Sequence, residues 1–354
     1  MVASSRGTVG RRAGSIGARL VAATLVVALL GGCGATAVSV SPAQTSGSAG
    51  PPATAILSPG VGQSLPAPFD ACATGLASGT SRIRFEADGQ DRQALLHIPT
   101  TPPPERGYPV LVALPGYSTS APEFERYSGL SDKADRSGFV VVYPEALGDP
   151  REWHLAGAMS FHPEFTRSDH EFIGELVDWL GSSRCVDAGR VFLVGHSQGG
   201  GMAADLSCEL GERLAGIGLV SGLYLSLPCQ APRPIPMVAF HALDDPVLPY
   251  AGGTVAGAPA DYPQVLPVDD VLDQWAVHDQ CTGDPVVSRL EAGAGRDADS
   301  RPDADGGPSA GSLLTWRDCS APVLFYRLTS GGHQWTPETP DRLWAFFEAV
   351  PSTD

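Results

Sequence analysis

Positive charge is scarce in this chain. Lysine and arginine number 23 against 39 aspartates and glutamates, a formal net charge of −16, and Lys133 is the single lysine. Such a surface repels a phosphate backbone, which argues against nucleic acid as a partner and against charge-driven binding to anionic lipid. Long apolar runs are also missing. The best candidate, Leu20–Leu30, falls short of the ~20 residues that a spanning helix needs. Metal-ligand spacings such as Cys-x-x-Cys are absent, and the aspartates of 291–312 lack EF-hand spacing, so no metal or other cofactor is expected. Apolar residues, in contrast, make up 43% of the chain. That suffices for the core of a single α/β domain of ~250–280 residues.

The N-terminus reads as an export signal. Residues 1–19 carry Arg6, Arg11, Arg12 and Arg19 and no acid; the apolar run follows, then Gly31-Gly32-Cys33. A basic head, a short apolar stretch and small residues at the cleavage point form a signal peptide. Leu30-Gly31-Gly32-Cys33 resembles the bacterial lipobox, which implies lipid on Cys33 and a signal peptide over residues 1–32. Loss of those four arginines takes the formal charge from −16 to −20. Residues 33–69, rich in Ser, Thr, Ala, Gly and Pro, read as a disordered linker. The expected protein is exported, held at the cell envelope by its lipid alone or secreted. A flexible tether favours a monomer. Six further cysteines, Cys72, Cys185, Cys208, Cys229, Cys281 and Cys319, are an even set suited to disulfides in an oxidising compartment, with 15 pairings open.

Residues 70–354 alternate between strand and helix patterns. Strands are expected at Ala94–Ile98, Pro109–Leu114, Phe139–Tyr143, Arg190–Val194, Ile217–Val220, Met237–His241 and Val323–Leu328. Helices are expected at 169–180, with Ser168 and Glu171 as a capping box, and at Gln198–Leu210, Asp270–Val277 and Pro340–Ala349. The alternation implies a mostly parallel sheet with helices on both faces. Residues 291–312 break the rhythm and read as a disordered surface insertion between Cys281 and Cys319.

Nucleophile chemistry concentrates at Gly195-His196-Ser197-Gln198-Gly199-Gly200-Gly201, a G-x-S-x-G motif set between an apolar strand and a helix. The turn must lift a serine above the sheet edge, and glycines on either side let strand and helix approach. A base is needed. His333, in Ser330-Gly331-Gly332-His333-Gln334-Trp335, follows the last predicted strand; His196, inside the turn, is expected to pack. Asp245, after strand Met237–His241, would hold the imidazole tautomer, with Asp244 as its rival. The order Ser197, Asp245, His333 is that of the α/β-hydrolases. Backbone N–H groups of Gln198 and of Tyr117, in Pro115-Gly116-Tyr117-Ser118, are the candidate oxyanion donors.

Several stretches together resemble the polyhydroxybutyrate depolymerase family of esterases, in its exported branch of feruloyl and acetylxylan esterases. They are Tyr143-Pro144-Glu145-Ala146 with Trp153, Cys185-Val186-Asp187, Gly195–Gly201 with Met202-Ala203, Phe240-His241, Asp245-Pro246-Val247-Leu248-Pro249-Tyr250, Cys281, Cys319 and Gly331-Gly332-His333-Gln334-Trp335. The resemblance covers about residues 72–350. It implies an α/β-hydrolase fold, Ser197 as nucleophile, Asp245 as acid and His333 as base. Pro115-Gly116 departs from the His-Gly common in relatives, and His196-Ser197-Gln198 from Leu-Ser-Ala or Leu-Ser-Asn. With the fold, the resemblance implies disulfides Cys281–Cys319, Cys185–Cys208 and, by elimination, Cys72–Cys229. The expected activity is ester hydrolysis through an acyl-enzyme, on polyhydroxyalkanoate oligomers, feruloyl or acetyl sugar esters or similar small or oligomeric esters. Trp153, Tyr117 and Trp335 are candidates to line an aromatic subsite. An envelope acyltransferase or a serine peptidase of the same fold would use the same residues, and those alternatives stay open at this point.

Overall fold

The computed structural model describes residues 78–87, 89–155, 169–224, 233–290 and 310–353. The expected signal peptide and linker, with Cys33, Cys72, Cys229, Ser168 and residues 291–309, lie outside the described residues.

In chain order the strands are β1 (Gly79–Ala87), β2 (Gln90–Ile98), β3 (Tyr108–Leu114), β4 (Val140–Pro144), β5 (Leu147–Gly148), β6 (Arg151–Glu152), β7 (Val186–His196), β8 (Gly216–Val220), β9 (Met237–Ala242), β10 (Val286–Leu290), β11 (Gly311–Thr315) and β12 (Val323–Leu328). The helices are α1 (Ala121–Ser128), α2 (Leu130–Ser137), α3 (His170–Gly181), α4 (Gln198–Leu210), α5 (Val268–His278) and α6 (Thr339–Glu348). Ten strands form one sheet in the order β1-β2-β4-β3-β7-β8-β9-β12-β11-β10. The six from β4 to β12 run parallel; antiparallel pairs flank them at both edges.

Strands buried on both faces need continuous apolar runs, and β3, β4, β8 and β9 are buried at every residue. Side chains alternate between two cores with the period of the pleat. Val110, Val112 and Leu114 face one core with α3, α4 and α5. Leu111 and Ala113 face the other with Phe124 of α1, Leu130 of α2 and Leu343 of α6. Each large side chain buried this way contributes about 1.5–3 kcal/mol. The expected α/β architecture is therefore present. No described helix is long and apolar enough to cross a membrane.

Several expectations need correction. α1 and α2 are unannounced by periodicity because each has eight residues and a mostly polar surface. The signal for α1 was a capping box in another place: Ser120 Oγ accepts from Glu123 N–H, and the Glu123 carboxylate accepts from Ser120 N–H. At α3 the N-cap is Asp169, and its side chain makes no capping bond. Its carboxylate instead forms a buried ion pair with Arg92 and accepts His154 N–H at 2.9 Å, while Asp169 N–H donates to His154 O at 3.2 Å. The insertion ends sooner than expected, since Gly311 and Ser312 belong to β11. Its flanks form an antiparallel hairpin, β10–β11.

The Cys281–Cys319 disulfide is present. Cys185 and Cys208 are each disulfide-bonded, but among the described residues Cys281–Cys319 is the one bond that joins two described cysteines, so the expected Cys185–Cys208 pair is not formed. The reason is the difference in rise. From Ser197 the strand recedes ~3.3 Å per residue to Cys185, and α4 returns only ~1.5 Å per residue to Cys208. The two cysteines thus end about 20 Å apart along the sheet, far beyond the ~7 Å limit for a bridge.

Candidate active site

Strand β7 and helix α4 meet at Ser197, which adopts φ 54° and ψ −122°. A non-glycine residue there carries about 1–3 kcal/mol of backbone strain. Ser197 N–H donates to Val220 O at 2.8 Å, and Ser197 O accepts from Gly200 and Gly201 N–H. The tight turn requires glycine on both sides. A Cβ on Gly195 would collide with the Gly199 carbonyl, and one on Gly199 with the Leu114 and Pro115 carbonyls.

Two loops converge on the serine from β9 and β12, adjacent strands of the sheet. Ser197 Oγ lies 2.7 Å from His333 Nε2, and His333 Nδ1 lies 2.8 Å from Asp245 Oδ2. Asp245 Oδ1 accepts N–H groups of Val247 at 2.8 Å and Leu248 at 2.9 Å. Burial would raise the Asp245 pKa, but the hydrogen bond and charge of His333, with those two N–H groups, outweigh it and hold the carboxyl below its ordinary value. Asp244, the rival, is exposed and accepts Gly332 N–H at 2.9 Å, so it props the loop that carries His333.

His196 packs as expected. Its ring lies 5.4 Å from that of His333, and its Nδ1 is 3.0 Å from Tyr127 Oη. Burial, then the proximity of His333, push its pKa down, so the His196 ring stays neutral.

The opposite wall holds Gln198 and Tyr117. Gln198 is the first residue of α4, where N–H groups and the helix dipole favour negative charge. Its side chain is tied on both ends: Oε1 accepts Trp153 N–H at 3.0 Å, and Nε2 donates to Glu152 Oε1 at 3.3 Å. The Tyr117 loop is held by the same hairpin. Trp153 Nε1–H donates to Pro115 O at 2.8 Å, and Ser118 N–H donates to Arg151 O at 2.8 Å.

A cavity of about 200 Å³ opens beside Ser197, Gln198 and Tyr117. Its far walls are Tyr224, Tyr262, Val247, Leu248 and Val255. Most of these belong to a small apolar cluster separate from both main cores. Tyr224 stands four residues past β8, the same kind of position that supplied Ser197 and Asp245, and that rule would have found it. Tyr262 and Val255 arrive by a fold-back of the loop after Asp245, pinned where Gly253 and Val265 exchange N–H···O bonds of 2.9 and 2.8 Å.

Neither tryptophan lines this cavity, which corrects the expected subsite. Trp153 is fully buried beneath the two loops it ties together. Trp335 is buried edge-on against Phe124 at 5.2 Å and donates Nε1–H to Ser128 O at 2.9 Å. An indole N–H taken from water needs an acceptor, and both found one in backbone. Tyr117 is the expected aromatic that does face the cavity.

Residues 86–298 match the family described as "Putative esterase". The chain belongs to that esterase family. It is 31% identical over 258 residues to the "Putative esterase NocK" of Nocardia uniformis subsp. tsuyamanensis, covering 70% of this chain and 71% of that protein. It is 25% identical over 203 residues to "Feruloyl esterase B" of Piromyces equi, covering 55% of this chain but 37% of that protein. Among solved structures, the acetyl xylan esterase from Aspergillus awamori superposes with a TM-score of 0.52 at 16% identity, over 76% of this chain and 99% of that one. The architecture is thus the α/β-hydrolase fold in one domain, and the family places the chain among carboxylic ester hydrolases.

Proposed function

We propose that this esterase is a serine hydrolase acting through an acyl-enzyme on Ser197. The observation that carries the reading is the continuous row Asp245–His333–Ser197, with contacts of 2.8 and 2.7 Å. His333 Nε2 takes the hydroxyl proton as Oγ attacks the ester carbonyl. Asp245 keeps the Nδ1–H tautomer and stabilises the imidazolium. The oxyanion forms toward the N–H groups of Gln198 and Tyr117, each such donor being worth ~10²–10³ in rate. His333 then protonates the leaving alcohol and activates the water that releases the acid.

This arrangement orients the substrate. The cavity contains both oxyanion candidates, so it takes the acyl group, and the alcohol leaves on the His333 side. At about 200 Å³ it is smaller than the ~300–1,000 Å³ usual for ligand pockets. That suits one short or single-ring acyl group bounded by Tyr117, Tyr224 and Tyr262. Feruloyl or acetyl sugar esters and hydroxyalkanoate oligomers, the last in line with the polyhydroxybutyrate depolymerase resemblance, are substrates of this shape. Export with lipid on Cys33 completes the proposal: a monomeric enzyme reached by esters outside the cell membrane.

The test is hydrolysis of p-nitrophenyl acetate, butyrate and octanoate and of methyl ferulate by the full chain made in an oxidising compartment. Turnover that disappears in folded Ser197→Ala is expected, falling off at octanoate. Activity retained in Ser197→Ala would overturn the mechanism. Labelling by a fluorophosphonate without hydrolysis of any ester would point to acyl transfer or peptide cleavage instead.

A further inference from the structure

One buried histidine is not used by the mechanism above. His241, in β9, is 1% exposed, and its Nε2 lies 2.9 Å from Leu248 O and 3.3 Å from Asp245 Oδ2. Both neighbours of that nitrogen are acceptors, so the ring proton sits on Nε2. Burial pushes the pKa of His241 down, which keeps the ring neutral, its Nε2–H facing the two oxygens. The other nitrogen, Nδ1, is buried without a hydrogen-bond partner, and the ring meets Tyr250 edge-on at 5.9 Å. A phenylalanine would fill this apolar setting and remove the unpartnered Nδ1, but it would leave Leu248 O without its donor. What only histidine supplies here is the Nε2–H donor.

We propose that His241 is a positioning residue for Asp245. It acts twice. Its N–H lies against Oδ2, the oxygen that also receives His333 Nδ1–H. It also holds the Leu248 carbonyl, and the N–H of Leu248 donates to Oδ1 of the same carboxylate at 2.9 Å. Both carboxylate oxygens are thereby fixed in the plane that meets His333. Leu248 further lines the acyl cavity, so one side chain sets the acid and a wall of the pocket together. The inference rests on the proposed Ser197–His333–Asp245 mechanism.

The experiment compares His241→Phe and His241→Gln with wild type in the full chain, with Ser197→Ala alongside. Phenylalanine keeps the ring and removes the donor; glutamine places an amide N–H near the position of Nε2. Misplacing a reacting group by about 1 Å costs up to ~10²-fold. His241→Phe is therefore expected to lose about 10- to 100-fold in kcat with KM little changed, and His241→Gln to recover most of it. A folded His241→Phe with wild-type kcat, or a glutamine variant as impaired as the phenylalanine one, would overturn the proposal. Should His241→Phe not fold, ¹⁵N NMR of wild-type histidine side chains decides. The expected His241 is a neutral Nε2–H tautomer from about pH 5 to 8; an Nδ1–H tautomer, or titration in that range, overturns it. Activity surviving in Ser197→Ala would instead remove the mechanism on which the inference rests.

Discussion

The two sides of Ser197 are built differently. On the His333 side, the proposed mechanism has three residues carry charge and protons, and each follows the end of a parallel strand. Side chains hold one another there across 88 and 136 residues of chain, and Asp245 is steadied locally by Val247 and Leu248. On the Gln198 side the proposed mechanism relies on backbone N–H groups, which take no part in fixing themselves. The β5–β6 hairpin and Trp153 reach across to Pro115, Ser118 and Gln198. A side chain that moves protons must be one of a few types in one place. A backbone donor can belong to any residue, so its precision has to come from buttressing.

Mutations should separate the two designs. The largest loss is expected from Asp245→Asn, which leaves the shape intact but supplies the wrong tautomer; kcat should fall by ~10⁴. Trp153→Phe removes one N–H from Pro115 O and leaves both proposed oxyanion donors in place. Its kcat loss should stay near tenfold, well under the ~10²–10³ for a lost donor, with KM for short acyl esters little changed. Steady-state kinetics of the two folded variants checks both. A Trp153→Phe loss as steep as that of Asp245→Asn would erase the distinction.

The smallest effect is expected away from both sides. His170 in α3 meets Asp205 at 2.9 Å and Glu209 at 2.8 Å on α4, the helix that begins beside Ser197. Burial alone would lower its pKa, but these two carboxylates outweigh it and raise it. A raised folded-state pKa gives stability that is full below the unfolded value of ~6.5 and is lost as pH rises through the folded one. His170→Gln should therefore lower Tm at about pH 6 and match wild type more closely at about pH 8.5, with kcat unchanged throughout. A Tm gap that widens with pH would show that the sign is wrong.

The same contrast governs what was legible in the sequence. Six parallel strands and four helices declared themselves by apolar runs or helical spacing. Ser197, Asp245 and His333 followed because reactive side chains gather at strand ends. β1, β10 and β11 were silent: β10 is exposed at four of its five residues and edge pairing needs no apolar pattern. The subsite was misread at Trp153 and Trp335. Both adjoin site motifs in the chain, but their indole N–H groups are directed to backbone under the surface. The Cys185–Cys208 pairing failed because adjacency across a β–α turn ignores how much faster a strand advances than a helix.

The buried Arg92–Asp169 pair, with the two bonds between Asp169 and His154, has a consequence for engineering. It fixes positions 154 and 169 to β2 and to each other, whatever lies between. An engineered chain that keeps Arg92, His154 and Asp169 keeps this clasp, and with it the anchor next to the Trp153 strut.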